Sequence, residues 1–217
     1  MAFKGRSPRS ATASRSTLPI PAFADEPFQK ADRYQYPTAV DNLAVKIIGP
    51  GGAGKTTTGE LLAELLGLEF FDLDHCFMTQ SGDIDQWITT HGYKSYARQN
   101  VENYLQLAPA ANSVCALSSG FMTYPDDVHA EYAHVLSSIA NHPHTFVLLP
   151  SLHKERCVAE TVRRQLARLI PMASPEQEEA KIRIRFEAYQ ALSARKIHTM
   201  RTPAEVASEI AALVNGP

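Results

Sequence analysis

The side chains best suited to chemistry stand in one short run. Residues 49–56 read GPGGAGKT and fill every fixed position of G-x-x-x-x-G-K-[ST]. Glycines, lacking Cβ atoms, let successive backbone N–H groups turn inward around phosphate oxygens. Gly51, Gly52, Ala53 and Gly54 form that cradle, and a helix beginning near Lys55, with Thr57 in its first turn, adds unpaired N–H groups and a positive dipole end. The Lys55 ammonium can sit on the β- and γ-phosphates, and the Thr56 hydroxyl can face Mg2+. Packing alone gives no reason for a lysine at this place, so the run reads as a site for a nucleoside triphosphate. It does not say what receives the phosphate.

Two carboxylates follow. Asp72 and Asp74 come just past the short run LEFF, residues 68–71. In an open α/β sheet, ligands gather beyond the carboxyl ends of the strands. The later apolar run TFVLL, residues 145–149, ends in Pro and Ser and offers no acid. Asp72 is therefore the candidate to hold the metal through water, with Thr56. Asp74 is the candidate to orient or deprotonate an acceptor hydroxyl. A capping or solvated pair is the plainer reading of two such carboxylates, and the P-loop beside them weighs against it.

Such a site needs a frame. The runs LAVKII (43–48), LEFF, VCALS (114–118), TFVLL and KIHT (196–199) read as strands with helical patterns between them. Strand–helix alternation predicts a parallel sheet with helices on both faces. The first helix carries Leu61, Leu62, Leu65 and Leu66 on one face and stops at Gly67. Two later helices announce their starts: SPEQ (174–177) and TPAE (202–205) each offer a hydroxyl cap, Pro at the first position and Gln or Glu at the third, and Pro171 closes the helix before the first of them.

The bulk properties narrow the field. The 217 residues suffice for one domain with a sizeable core and a tail, and the balance of 44% hydrophobic and 20% charged residues is that of a soluble globular protein. No stretch approaches a membrane span, and a net charge of −2 gives no general pull toward nucleic acid or acidic membrane. Residues 1–41 read as a disordered basic extension, with an organelle transit peptide as the alternative; Arg and Ser without early acids suit the transit reading, and Pro8 opposes it. Cys76, Cys115 and Cys157 show no paired spacing and read as reduced thiols of a cytoplasmic protein.

The stretch GPGGAGKTTTGELLAELLGLEFFDLD, residues 49–74, resembles the opening of the shikimate kinase family, small relatives of the nucleoside monophosphate kinases. The resemblance runs over residues 42–215. It implies a P-loop three-layer sandwich: a five-stranded parallel sheet in the order 2-3-1-4-5, a substrate-binding helical region after the second strand, and a lid after the fourth. It implies ATP and Mg2+ as cofactors, and transfer of phosphoryl from ATP to shikimate in aromatic amino acid biosynthesis, by a monomer whose partner is a small molecule. Asp74 matches the family aspartate that binds the ring hydroxyls and acts as base, and Asp72 the one near the metal. Tyr96 matches an aromatic residue that precedes a carboxylate-gripping arginine, but Ala97 stands in the arginine's place. Arg98 comes one residue later, about 100° round a helix, and is carried as a substrate-binding candidate with a solvated face as its alternative. The third strand ends LSSGF, so Gly120 matches the last of three family glycines, while Ser118 and Ser119 add side chains that either donate hydrogen bonds or narrow the pocket. Arg168 matches the catalytic lid arginine, with Arg163 and Arg164 before it and Arg164 facing the nucleotide. Arg185, four before Tyr189, matches the arginine that binds the acceptor carboxylate.

Two other readings stay open: a kinase of the same fold for another small polar alcohol, which Ala97 and the two serines motivate, and a nucleotide-binding module without transfer activity. On the kinase readings, Lys55→Ala is expected to abolish phosphoryl transfer in a coupled ADP assay while leaving the circular dichroism spectrum unchanged.

Overall fold

The computed structural model describes residues 43–107, 112–167 and 174–216. The expected extension over 1–41, Arg168 and the helix stop at Pro171 lie outside the described residues.

Apolar runs with side chains on both faces must be covered twice, and here they are. Strands β1 (Ala44–Ile48), β2 (Glu69–Asp72), β3 (Ser113–Ala116), β4 (Thr145–Leu149) and β5 (Arg195–His198) make one sheet in the order β2-β3-β1-β4-β5. Every pairing is parallel. All five residues of β4 are buried. Phe146 and Leu148 enter one apolar layer, Val147 and Leu149 the other. This is the two-residue alternation of a pleated strand, serving two cores at once.

Helices α1 (Lys55–Leu66) and α8 (Pro203–Asn215) cover the first layer through Leu62, Ala63, Val206 and Ile210. The second layer is covered by α2 (Leu73–Ser81), α4 (Tyr93–Leu107), α5 (Tyr132–Ala140), α6 (Lys154–Leu166) and α7 (Pro175–Ala191). Helix α3 (Ile84–His91) has no buried residue and leans on this layer through Ile84, Trp87 and Ile88. The three-layer α/β architecture and its strand order are those the sequence led us to expect.

The caps follow their sequence signals. Ser174 with Gln177, and Thr202 with Glu205, form reciprocal capping boxes at the starts of α7 and α8, each with Pro inside the first turn. Gly67 ends α1 in the left-handed region at φ 65°, and its N–H returns to Ala63 and Glu64. Two details differ. Leu65 is 56% exposed, because the buried stripe of α1 runs through Thr58, Gly59, Leu62 and Ala63. Asp72 is the last residue of β2 rather than the first after it. Helices α6 and α7 lie against each other; Cys157, Val158, Ile182 and Phe186 on them are buried, and Lys154–Glu187 and Arg183–Glu155 ion pairs at 2.6 and 2.7 Å join them.

Because the sheet is parallel, the segments after β1, β2 and β3 emerge at one edge. What sets the height of β2 there is close packing on α1: a Cβ on Gly59 would lie 2.4 Å from Cε2 of the Phe70 ring. Gly59→Ala is expected to lower stability by about 1–3 kcal/mol, the usual cost of overpacking, read as a fall in the urea midpoint with the slope unchanged.

Candidate active site

The loop after β1 is shaped by its glycines. Gly52 and Gly54 have φ of 78° and 93°, and Gly54 is the cap residue of α1. A Cβ on Gly49 would lie 2.4 Å from the Leu148 carbonyl oxygen, and one on Gly51 2.3 Å from Gln165 Nε2. Ala53 is fully buried beneath the loop, whereas Thr56 and Thr57 are exposed at the start of α1. The Lys55 ammonium arches over the loop and donates to the carbonyls of Gly49 and Pro50 at 2.9 and 3.1 Å. Bare Cα atoms, a helix start and an ammonium over a ring of backbone are the parts a polyphosphate needs.

Asp72 uses both carboxylate oxygens. Oδ1 accepts from the Asp74 and His75 N–H groups at 2.9 and 3.2 Å and so caps α2. Oδ2 accepts from the Thr56 hydroxyl at 2.6 Å. Oδ1 thus serves the cap, while Oδ2 stands beside the Thr56 hydroxyl, its expected companion at a metal. Among the described residues no group of three or more His, Cys, Asp or Glu could hold a metal ion. One hydroxyl and one carboxylate beside a phosphate cradle nevertheless suit magnesium, which takes few protein ligands and fills its octahedron with phosphate and water.

Asp74 lies in the first turn of α2. Its Oδ1 accepts from Tyr96 Oη at 2.9 Å and from Ser118 Oγ at 2.5 Å. Burial, with the Asp74 carboxylate next, pushes the Tyr96 phenol upward, so it stays protonated and remains a donor. With both donors on Oδ1, the carboxylate is fixed and Oδ2 is the edge that can meet a hydroxyl. Of the two roles open to Ser118, the structure shows hydrogen bonding: the side chain is buried and supports Asp74.

Opposite Asp74, Arg185 Nη1 donates to Ser119 Oγ at 3.0 Å, and the buried Tyr189 hydroxyl donates to the Ser119 carbonyl at 3.1 Å. A Cβ on Gly120 would lie 2.5 Å from Tyr93 Oη and 3.0 Å from Arg185 Nη2. Tyr132 braces the turn behind them by donating to the Phe121 carbonyl at 2.5 Å and accepting from Tyr124 N–H at 2.9 Å. The face is thus a carboxylate, a guanidinium and phenols on a rigid backbone.

On the far flank of the P-loop, Arg164 reaches the Gly52 carbonyl at 3.4 Å and the Thr199 carbonyl at 2.7 Å, while its Nε donates to Glu160 at 2.7 Å. Arg163, then Arg164, hold the Glu160 carboxyl down at about 2. A cleft of about 260 Å³ opens here, lined by Gly52, Gly54, Arg164, Thr199, Arg201 and Pro203.

Arg98 does not join this site. Its side chain is 66% exposed and paired with Glu102 at 3.1 Å, while Ala97 is fully buried. The helical step that separates them turns Arg98 to solvent, so we correct its assignment as a substrate-binding residue. Burial raises the three thiols, Cys115 to about 12, so they stay protonated at neutral pH. Sequence reasoning missed Tyr93, Thr199 and Gln165. Tyr93 follows a helix-ending glycine and could have been suspected; nothing local marks the other two.

The family model for shikimate kinase matches residues 51–215. Shikimate kinase of Psychrobacter sp. (strain PRwf-1) is 37% identical over 82 residues, 37% of this chain and 46% of that protein. The Legionella pneumophila (strain Corby) shikimate kinase is 34% identical over 85 residues, 39% of this chain and 49% of that protein. The chain thus spans about half the length of the curated relatives it matches. Among solved structures, shikimate kinase from Acinetobacter baumannii in complex with shikimate aligns at a TM-score of 0.62 and 26% identity, covering 79% of this chain and 92% of that one. Shikimate kinase from Aquifex aeolicus aligns at 0.57 and 22% identity, covering 80% and 97%; it speaks for the fold.

Stability measurements distinguish the two sides of α4. Arg98→Ala is expected to change the unfolding free energy by less than about 0.5 kcal/mol, as exposed ion pairs do. Tyr96→Phe, which removes a donor from a half-buried carboxylate, is expected to cost about 1 kcal/mol. Urea unfolding of both variants checks the contrast.

Proposed function

The chain belongs to the shikimate kinase family, and from that premise we infer that it transfers the γ-phosphoryl group of ATP to a hydroxyl of a small carboxylated acceptor, shikimate foremost. The observation that carries this reading is the convergence at one sheet edge of the glycine cradle, the Thr56–Asp72 pair and Asp74 with one oxygen left for a ligand.

Each residue then has a task. Amides of residues 51–54 and the Lys55 ammonium bind the phosphates; the lysine leaves the Gly49 and Pro50 carbonyls to do so. Thr56 and Asp72 would hold Mg2+. The ion, when bound, neutralises charge that builds on the phosphoryl oxygens. Asp74 Oδ2 takes the acceptor hydroxyl's proton as its oxygen forms the new bond to phosphorus, and the bond to the β-phosphate oxygen breaks, releasing ADP. Arg185, propped by Ser119, binds the acceptor carboxylate, with Gly120 leaving room for it beside Tyr93. Arg164 lines the nucleotide's flank. Arg168 belongs to this proposal as the lid residue that meets the transferring phosphoryl. We place the enzyme in the cytoplasm, acting on a small molecule. Among the described residues no helix is long and apolar enough to cross a membrane.

A second reading rests on one observation. With Ala97 buried and Arg98 turned outward, a carboxylate here meets Arg185 with no neighbouring arginine from α4. That favours a same-fold kinase for a different polar alcohol.

A coupled ADP assay over shikimate, other hydroxy acids and polyols decides between them. We expect turnover with shikimate; turnover with another alcohol alone selects the second reading, and ATP binding without transfer to any acceptor leaves only a binding module. Asp74→Asn is expected to lower turnover by about 100-fold or more with ATP affinity nearly unchanged. A matching fall in ATP affinity would instead assign Asp74 to the metal.

A further inference from the structure

Gln165 lies near the end of α6, one turn after Thr161, with its carboxamide against Gly51. The residue is 8% exposed. A Cβ on Gly51 would lie 2.3 Å from its Nε2 and 3.8 Å from the Ser119 Cβ, so the amide faces the phosphate cradle on one side and the acceptor loop near the other. A Cβ on Gly52 would lie 3.3 Å from its Cγ and 3.0 Å from the Thr161 carbonyl oxygen. This end of α6 is therefore seated directly on the glycines. Thr161 is itself fixed by its hydroxyl, which donates to the Cys157 carbonyl at 2.6 Å.

The amide oxygen, Oε1, is buried and has no hydrogen-bond partner among the described residues. Filling this space takes no polar group; a methionine has nearly the same length and carries no desolvation cost. Buried amide groups ordinarily find partners. Here the chemistry around Gln165 says what arrives: a carboxylate would repel a phosphate at this place, and a second ammonium would compete with Lys55, whereas a carboxamide can donate through Nε2 and accept through Oε1 without net charge.

We propose that Gln165 is a further binding residue for the terminal phosphate, its Nε2 donating to a γ-phosphoryl oxygen above Gly51 and its Oε1 accepting a hydrogen bond from a donor that comes with the ligands. The inference rests on the reading that the P-loop holds ATP and adds a way to tell ATP from ADP. ADP lacks the γ-phosphoryl oxygens, so the contact made with ATP is lost once the phosphoryl group has moved.

Isothermal calorimetry with ATP and with ADP, each with magnesium, tests this without any acceptor. Gln165→Met is expected to weaken ATP binding about tenfold, the loss of a hydrogen bond to a charged group, and to leave ADP binding within about twofold. Gln165→Glu is expected to weaken ATP binding further, by placing a carboxylate against the phosphate; should it fail to fold, the methionine variant decides. Unchanged ATP affinity overturns the proposal, as does an equal loss for ATP and ADP, which would mark a purely structural role. A wild-type protein that binds neither nucleotide would bring down the P-loop reading itself, and this contact with it.

Discussion

Asp72 is the joint on which the site turns. One carboxylate oxygen caps α2 and fixes where Asp74 stands; the other takes the Thr56 hydroxyl at the start of α1. A single side chain therefore ties the glycine loop's helix to the segment that carries the Asp74 carboxylate. Its position is inherited from β2, which is held in the sheet by parallel pairing to β3 and against α1 by the bare Cα of Gly59 under the Phe70 ring. In reactions whose catalysis is mostly alignment, such a joint matters as much as the groups that touch the substrate.

The surroundings of Asp74 are built on another plan from the glycine loop. The cradle works by leaving side chains out; the face around Asp74 works by putting them in. Ser118 and Tyr96 pin the carboxylate, Ser119 props Arg185, and Tyr132 and Tyr189 tie the turn after β3 through its backbone. Only Gly120 stays bare, where Tyr93 and Arg185 come close. Rotamers locked by packing and by second hydrogen bonds make a rigid wall, and a wall of hydroxyls and one guanidinium discriminates by which polar groups a ligand can leave satisfied.

The parts of this site that could be read from the chain are those in which position in sequence is position in space. The glycines, Lys55 and Thr56 belong to one loop, and Asp72 and Asp74 to the end of one strand, so spacing alone placed them. Alternating apolar and helical runs gave the sheet, because burial on two faces leaves a mark in composition. Arg98 shows the limit: one residue's difference is about 100° round the helix, from core to solvent, and only the packing of Ala97 decides which. Gln165 and Thr199 were illegible because one packs on Gly51 and the other lines a cleft with Gly52, each from more than a hundred residues away and with no pattern of its own.

The seam between α6 and α7 has a consequence for how the protein responds to its medium. Its centre is apolar, but the Lys154–Glu187 and Arg183–Glu155 pairs along its rim are largely open to water. Added electrolyte shrinks the reach of such charges to about 8 Å at physiological strength and less beyond it, while leaving the sheet's two hydrocarbon layers as tight as before or tighter. The helix that seats Gln165 on the glycines is thus moored at one edge by forces that salt weakens, and the strands beneath it by forces that salt does not.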